Sequence, residues 1–563
     1  MKKILLLLFT GFLLSFYANA QSTFEGVHQI LQTSCTGCHG GSSPAAKLDL
    51  SGDLADVYKR LLDQDIINPV ALEKGYKLVK PGYPDQSSLY RKVNAGLYHE
   101  SELLANEGKV MPPNNLPTLA DAEKELIRQW IYFGAPETGK VINEEILEEY
   151  YTLGGLPRVE RPEAPAVGEG FQIHLGSIFL APQEEREYIL KHALNNEEEL
   201  KIKKLEVVMN SESHHFLLFA FDPGADLDED EGLEEITILS TLTGEAISIT
   251  NDTKMFGGWV YDAAYELPDP ATYTWDANTV LKFNYHLRNY SNTAIMPSDV
   301  YINVYTQPKK DLEYKMESIF DVSPISELVI PPGEHTFEWV LRNFENTSSE
   351  DSIHIWQMGA HTHQYGTDFD VYLRNADGSR GEQVYEGFYN FDYSFDQGYY
   401  DYAEPPSIIF DQLLSIKAKD GLILEATYNN TTEDFVTFGL TTKDEMFGVF
   451  LQYLVGDVSE IEGESVGVTV NDVLAESAQL QVYPNPVQTV SQINYQLETA
   501  EEVALAIYDI KGQKVAQLVN EKQAAGLHQQ KINVEELQLQ AGTYFITLMI
   551  NGQSTTKRIV VGE

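Results

Sequence analysis

Between residues 164 and 456 the chain breaks into short runs rich in Val, Ile, Phe, Tyr and Thr, parted by Gly, Pro, Asn and Asp. LKIKKLEVVM, HHFLLFAF, ITILSTL, VLKFNYHLRN, DVYINVYT, FDVYLRN, LILEATYNN and FGVFLQYLV are examples. Side chains of a strand alternate between its faces, so runs of this kind turn one face to a core and the other to solvent. Many such runs, with turn residues between them, predict antiparallel β-sandwiches. The stretch is too long for a single sandwich of about 100 residues. Two are expected, with a boundary near residues 308–320, where YTQPKKDLEYK leads into another series of strands.

Disulfides cannot hold these domains. The 563-residue chain has two cysteines, Cys35 and Cys38, both in one local motif, so stability has to come from packing. The N-terminus, MKKILLLLFTGFLLSFYANA, reads as a secretory signal peptide. Two lysines precede a short apolar run that ends in Ala18-Asn19-Ala20, which predicts cleavage after Ala20. The apolar run is too short for a membrane anchor and nothing similar follows it. Residue 21 is Gln, so a lipoprotein cysteine is absent. A formal charge of −46 argues against nucleic acid or an anionic membrane as partner, since either needs a basic face.

The cysteine motif is Cys35-Thr36-Gly37-Cys38-His39, the attachment signature of a c-type haem. Two thiols would form thioethers and the adjacent imidazole would reach the iron. Zinc would want a second CxxC, and a redox CxxC would need neither His39 nor export. Met111, in GKVMPPNNLP, is the expected sixth ligand, with His99 as competitor; core packing is the plain alternative for Met111. The segment ADAEKELIRQWIYFGAP has helical apolar spacing at Leu126, Ile127, Trp130 and Ile131. Over residues 24–137 the arrangement resembles the small cytochrome c modules of exported bacterial proteins, in which MPP follows CxxCH and a WI-x-x-GA helix closes the domain. A haem with both axial positions filled transfers electrons.

Five histidines and a methionine stand out among the strands. His214 and His215 are adjacent in NSESHHFLLF and would share an ion only at a strand end or bulge. His286 lies in LKFNYHLRNYSN, His361 and His363 in GAHTHQYG, and Met446 in TTKDEMFGVFLQY. Period two puts the imidazoles of His361 and His363 on one face. Imidazole suits several metals, and thioether favours Cu(I). Singly, each histidine reads as a satisfied polar residue; the order HH, H, HxH, M is what suggests ligation.

That order, together with HHF, FNYHLRNYSN, HTHQYG and the run GLILEATYNNTTEDFVTFGLTTKDEMFGVFLQY, resembles the copper type II, ascorbate-dependent monooxygenases over about residues 165–456. Peptidylglycine and dopamine β-monooxygenases belong to this family. The resemblance implies that His214, His215 and His286 hold an electron-storing copper and that His361, His363 and Met446 hold the oxygen-binding copper. It also implies insertion of one oxygen atom into an aliphatic C–H bond, the other leaving as water, with the two domains facing each other across a cleft. The peptide hydroxylases clamp a substrate carboxylate with Arg, Asn and Tyr at positions that are Gly359, Gly448 and Phe450 here, so that clamp is missing. The substrate is left open. The aromatic stretch YEGFYNFDYSFDQGYYDY reads as packing and loop anchoring, or as a wall for hydrophobic or phenolic compounds. FDPGADLDEDEGLEE lacks the spacing of a calcium loop and reads as a solvated acidic loop.

After an acidic linker, LQVYPNPVQTVSQINYQL, VALAIYDIKGQKV and AGTYFITLMINGQSTTKRIVV read as strands of a small β-sandwich, turning at Lys511-Gly512 and Asn551-Gly552. YPNP, YDIKGQKV, AGTYFI and the closing Lys-Arg-Ile-Val-Val resemble the type A sorting domain of the Bacteroidetes type IX secretion system. An adhesive or carbohydrate-binding module is the plain alternative. The resemblance implies passage through the periplasm, reading by the outer-membrane translocon, and a mature protein at the surface or released.

The expected organisation is a multidomain, mainly β protein. It runs as signal peptide 1–20, α-helical cytochrome c domain 21–140, linker 141–163, two jelly-roll-like copper domains 164–312 and 313–456, linker 457–478 and sorting domain 479–563. Implied cofactors are two copper ions and one covalent haem. Implied partners are dioxygen, a small organic substrate, an ascorbate-like reductant or redox protein as donor, and the secretion machinery. An electron-transfer or copper-binding surface protein without hydroxylase activity is the alternative function.

Overall fold

In the computed structural model the described residues are 22–113, 116–209, 215–222, 233–235, 253–259, 263–289, 291–310, 314–322, 328–344, 347–387, 407–439, 443–459, 461, 480–483, 487, 489–497, 499–509, 514–534, 537, 539, 542–550 and 553–561. The signal peptide, His214, the YPNP proline turn, and most of the acidic loop, the aromatic stretch and the second linker lie outside them. The protein is mainly β, with 46% strand and 15% helix.

The N-terminal helix Thr23–Ser34 opens on a capping box in which Ser22 and Glu25 satisfy each other's backbone N–H groups. Its residues Phe24, Val27, Ile30 and Leu31 recur at helical spacing and are all buried. The helix Asp121–Tyr132 lies against this stripe, with Trp130 stacked on Phe24 at 5.0 Å between ring centroids. A third helix, Glu144–Leu153, adds Leu147 to the same core. Residues 141–163, expected as a linker, are therefore partly built into the domain. Beyond the helix, the Leu156 N–H donates to the Ile295 carbonyl and Asn303 donates to the Glu163 carbonyl.

The next core lies between two sheets. One pairs Gly170–Leu180, Met296–Gln307 and Leu200–Met209; the other pairs Glu185–Ala193, Val280–Arg288, His215–Phe221 and Thr253–Trp259. Alternate residues Leu205, Val207, Phe216, Leu218, Phe283, Tyr285 and Ile302 meet between them. A second sandwich has Glu317–Asp321, Gly448–Val455, Ser352–His361 and Ser407–Lys417 on one side. Gly333–Leu341, Leu422–Asn430, Gly366–Arg374 and Arg380–Glu386 form the other. Ile353, Ile355, Phe369, Leu424, Val449 and Leu451 are among the residues filling its core. The C-terminal unit has three strands facing four around Ile493, Leu505, Ile546 and Ile559.

Buried charge joins the helical domain to the first sandwich. Arg128, in the helix Asp121–Tyr132, pairs with Glu125 at 2.8 Å and donates to the carbonyls of Gly176 and Ser177 across the seam. His174 is held between Glu100 of the helical domain at 2.8 Å and Asp299 of the sandwich at 2.9 Å. Two carboxylates can each be satisfied only if both ring nitrogens carry protons, so this geometry calls for the imidazolium. Arg158 adds a second cation to Asp299 at 3.1 Å. Burial pulls the His174 pKa down, but the hydrogen bonds and charges of Asp299 and Glu100 outweigh it and raise it above the ordinary 6.5. Burial alone would raise the Asp299 carboxyl; the His174 hydrogen bond and charge, then Arg158, hold it well below its ordinary 3.8 instead.

The pH window follows from these two directions. A raised His174 contributes fully below its unfolded pKa of about 6.5 and loses its contribution as pH rises through the folded value. A depressed Asp299 contributes above its unfolded value of about 4 and loses its contribution as pH falls through the folded one. The stabilisation from this pair is complete between about pH 4 and 6.5 and declines above it. Thermal unfolding of wild type and His174→Gln across pH 4–9 checks this: the wild-type advantage should shrink on the alkaline side. A constant difference across that range would contradict it.

Candidate functional site

The CxxCH motif begins at the C-cap of the first helix, Cys35, and forms the turn that follows it, where the His39 N–H donates to the Cys35 carbonyl at 2.9 Å. Burial, then the nearby Glu123 and Cys38, push the Cys35 thiol up to about 11. His39 Nδ1 lies 3.1 Å from the Ala45 carbonyl, an acceptor that fixes the proton on Nδ1 and leaves the lone pair on Nε2. That is the tautomer an iron ligand needs. The Met111 N–H donates to the Lys92 carbonyl, while His99, the competing ligand, is exposed and 3.6 Å from Glu102. Ile67, Leu72, Leu104 and Leu116, all between the CxxCH and the closing helix, keep large apolar side chains on the surface. Two thiols in one turn and an imidazole with its lone pair on Nε2 are a donor set that fits a c-type haem.

His361 ends the strand Ser352–His361, and the chain then turns at 363–366, where the Gly366 N–H donates to the His363 carbonyl at 3.0 Å. The two imidazoles are neighbours, 5.2 Å between centroids and nearly perpendicular at 88°. Gly366 is required by close approach: a Cβ there would run into the Thr362 side chain. Its place in HTHQYG is thus steric. His363 is buried, and its Nδ1 lies 3.2 Å from the Asp444 carbonyl, which leaves the lone pair on Nε2. Burial, then the charge of His286, push its pKa down to about 4, so at neutral pH it is an uncharged imidazole.

Sheet pairing brings the methionine to this place. His361 is the register partner of Gly448 in the strand Gly448–Val455, and Met446 stands two residues ahead of Gly448. The Met446 carbonyl accepts from the Tyr428 hydroxyl at 2.6 Å, and its N–H donates to Glu445. The backbone thus brings the segment that carries Met446 to the sheet end at which the two imidazoles stand.

The other histidine group is described in part. His215 opens its strand directly opposite His286 in the register. His286 is buried, and its Nε2 lies 2.8 Å from Glu185, a carboxylate that holds the proton on Nε2. Glu187, the register partner of His286, has its carboxyl raised by burial. Among the described residues no cluster of three or more His, Cys, Asp or Glu side chains is gathered for a metal. His214, which the resemblance assigns to the same copper as His215 and His286, lies outside the described residues.

The two sandwiches were expected to part at a cleft; around Met446 their seam is filled. Met446 packs with Phe219 and Met255 of the first sandwich, and Phe320, Phe438 and Phe450 lie against this cluster. Tyr273 donates to Gln452 across the seam at 2.6 Å, and Gln452 donates to the Phe256 carbonyl at 2.9 Å. The positions that lack the clamp residues are here too. Gly359 faces Phe450 in the register, and a Cβ on Gly448 would sit 3.4 Å from His361 Cβ and Phe320.

Sequence reasoning missed Glu185, Glu445 and Tyr428. Each acts through a strand pairing or a loop crossing that no local spacing announces. The one available hint was an acidic residue directly ahead of the methionine, in DEMF.

Residues 481–562 match the secretion system C-terminal sorting domain family. The C-terminal sandwich is such a domain. It marks the protein for export by type IX secretion to the cell surface or the medium. No helix among the described residues is long and apolar enough to cross a membrane. No curated protein matches the chain. Among solved structures, a triple jelly-roll protein of an archaeal virus aligns at 8% identity and TM-score 0.15, over 51% of this chain and 60% of its own. The adhesin domain of Epf from Streptococcus pyogenes aligns at 9% and 0.12, over 44% and 71%. Ruminococcus gnavus β-glucuronidase aligns at 13% and 0.14, over 45% of each chain. Superpositions this loose carry no functional argument.

The steric role of Gly366 is open to direct measurement. Gly366→Ala should destabilise the fold by about 1–3 kcal/mol through overpacking against Thr362. Pairing it with Thr362→Ala should recover part of the loss in urea denaturation.

Proposed function

We propose that the two central sandwiches form a copper-dependent monooxygenase that hydroxylates an aliphatic C–H bond of a small, uncharged organic substrate with dioxygen. One oxygen atom enters the product and the other leaves as water, so each turnover consumes two electrons and two protons. What supports the reading is the neighbouring pair His361 and His363, with Met446 two residues from the register partner of His361 and the His363 imidazole turned by the Asp444 carbonyl into the ligand tautomer. Bound copper would supply the dioxygen chemistry, and the imidazole–thioether set suits its cuprous state. His215 and His286, with His214, are the residues for the electron-storing copper.

This chain's own residues do the rest. Glu185 and the Asp444 carbonyl hold protons on the ring nitrogens that face away from the ligand side. Phe320, Phe438, Phe450 and Met255 exclude water near Met446. With Gly359 and Gly448 in place of the polar clamp, these walls favour an apolar or phenolic substrate over a carboxylate. The helical domain is the proposed electron source through its c-type haem, held by Cys35, Cys38, His39 and Met111. Its fixed docking through Arg128 and His174 keeps the donor at high effective concentration.

A second reading, a haem and copper electron-transfer protein without hydroxylase activity, draws on the same apolar packing, since Met446 is only 8% exposed. Oxygen uptake separates the two. Purified holoprotein should carry about two copper ions and one haem iron per chain. Its reduced haem should be reoxidised by oxygen only when copper is present. Met446→Ile should abolish that reaction while leaving the three-histidine copper bound. Iron without copper in metal analysis would end the enzyme reading, and equal loss of both coppers would end the two-site assignment.

A further inference from the structure

The backbone around the candidate copper ligands converges on one side chain that supplies no ligand itself. Glu445 is wholly buried. Its Oε2 accepts the N–H of His363 at 2.9 Å and the N–H of Met446 at 3.2 Å. Its Oε1 accepts the N–H of Tyr365 at 2.7 Å. The residue is anchored in turn: its own N–H donates to the Thr437 carbonyl at 3.0 Å, and its carbonyl accepts from Gly439 at 3.2 Å.

These contacts join two segments far apart in the chain. His363 and Tyr365 belong to the turn after the HxH strand, and Met446 belongs to the loop entering the strand Gly448–Val455. A buried N–H without a partner costs about 1–3 kcal/mol. A carboxylate is the side chain that meets three converging donors, because both of its oxygens accept and neither donates. An amide would turn one NH2 group towards an N–H, and an alanine would leave all three donors bare.

We propose that Glu445 is a positioning residue for the copper that the functional reading assigns to His361, His363 and Met446, and that its carboxylate fixes the separation between the imidazole pair and the thioether. The proposal rests on that reading for the identity of the metal. The clasp itself is a property of the metal-free chain. Without it, the HxH turn and the methionine loop keep the ladder at His361 and the contact of His363 Nδ1 with the Asp444 carbonyl, while the backbone of Tyr365 and Met446 loses the acceptor that holds the thioether in register with His363.

Two measurements on full-length protein test this. In the first, wild type, Glu445→Gln and Glu445→Ala are loaded with copper, and stoichiometry, Cu(I) affinity and the copper–sulfur signal in X-ray absorption are read. Glu445→Ala should keep the three-histidine copper, lose the sulfur signal and bind the second copper about 10–100-fold more weakly, the size of loss typical for partners that orient ligands. Glu445→Gln should fall between, since its single oxygen can still serve His363 and Met446, and it stands in for the alanine variant should that fail to fold. An unchanged sulfur signal and affinity in a folded variant would overturn the proposal.

The second measurement needs no metal. Amide hydrogen exchange of the metal-free chain should rise together at residues 363–366 and at Met446 in Glu445→Ala, and chiefly at Tyr365 in Glu445→Gln. Unchanged exchange at these amides overturns the clasp. Altered exchange in a chain whose wild type binds no copper at His361 and His363 would keep the clasp and remove the metal reading alone.

Discussion

With both cysteines in a single pentapeptide, no disulfide can hold one folded unit of this chain to another, and every seam has to be made from non-covalent contacts. The two seams described above solve this differently. The helical domain is fixed by charge, through Arg128, Glu125, His174, Glu100, Asp299 and Arg158. Buried ion pairs of this kind repay their desolvation only when every group is matched, and matched groups tolerate no sliding. The seam between the sandwiches is apolar around Met446 and is flanked by polar links: Gln452 with Tyr273 and the Phe256 carbonyl, Ser318 to the Met255 carbonyl, and the ion pair of Lys254 with Glu317. Charge thus appears at both seams, and apolar packing closes the region immediately around Met446.

Dryness and ligation are coupled in the second sandwich. The turn that presents His363 exposes backbone donors in a place where water has been excluded, and those donors must be met by protein. Glu445 meets them, the Asp444 carbonyl orients the ring, and Tyr428 holds the Met446 carbonyl. The proposed site therefore depends on the polar groups behind its candidate ligands, as metal centres generally do.

Much of the architecture was readable from local pattern, because the pattern has a local cause. Period-two runs bury one face, and the described strands fall in those runs; the spacing of Leu126, Ile127, Trp130 and Ile131 marks one helix face, and all four are buried. The C-terminal sorting domain was legible from its motifs and is matched as a family. Residues 141–163 show where such reading stops. Their polar, proline-containing composition reads as a linker, yet Leu147 reaches a core and Leu156 bonds to a strand more than a hundred residues on, which composition cannot reveal.

By itself, then, the sequence determined the tail that directs export and named the candidates for chemistry, the CxxCH in the helical domain and the order of histidines with one methionine in the strands. Those depend on residue type and short spacing. Only the tertiary structure decided which groups stand behind them. Glu185 reaches His286 by pairing of strands 101 residues apart, and Glu445 reaches His363 across 82. It also decided that the sandwiches meet on packed apolar side chains at Met446. Contacts of this range follow from sheet register and domain docking, which are set by the summed burial of whole faces and not by any motif.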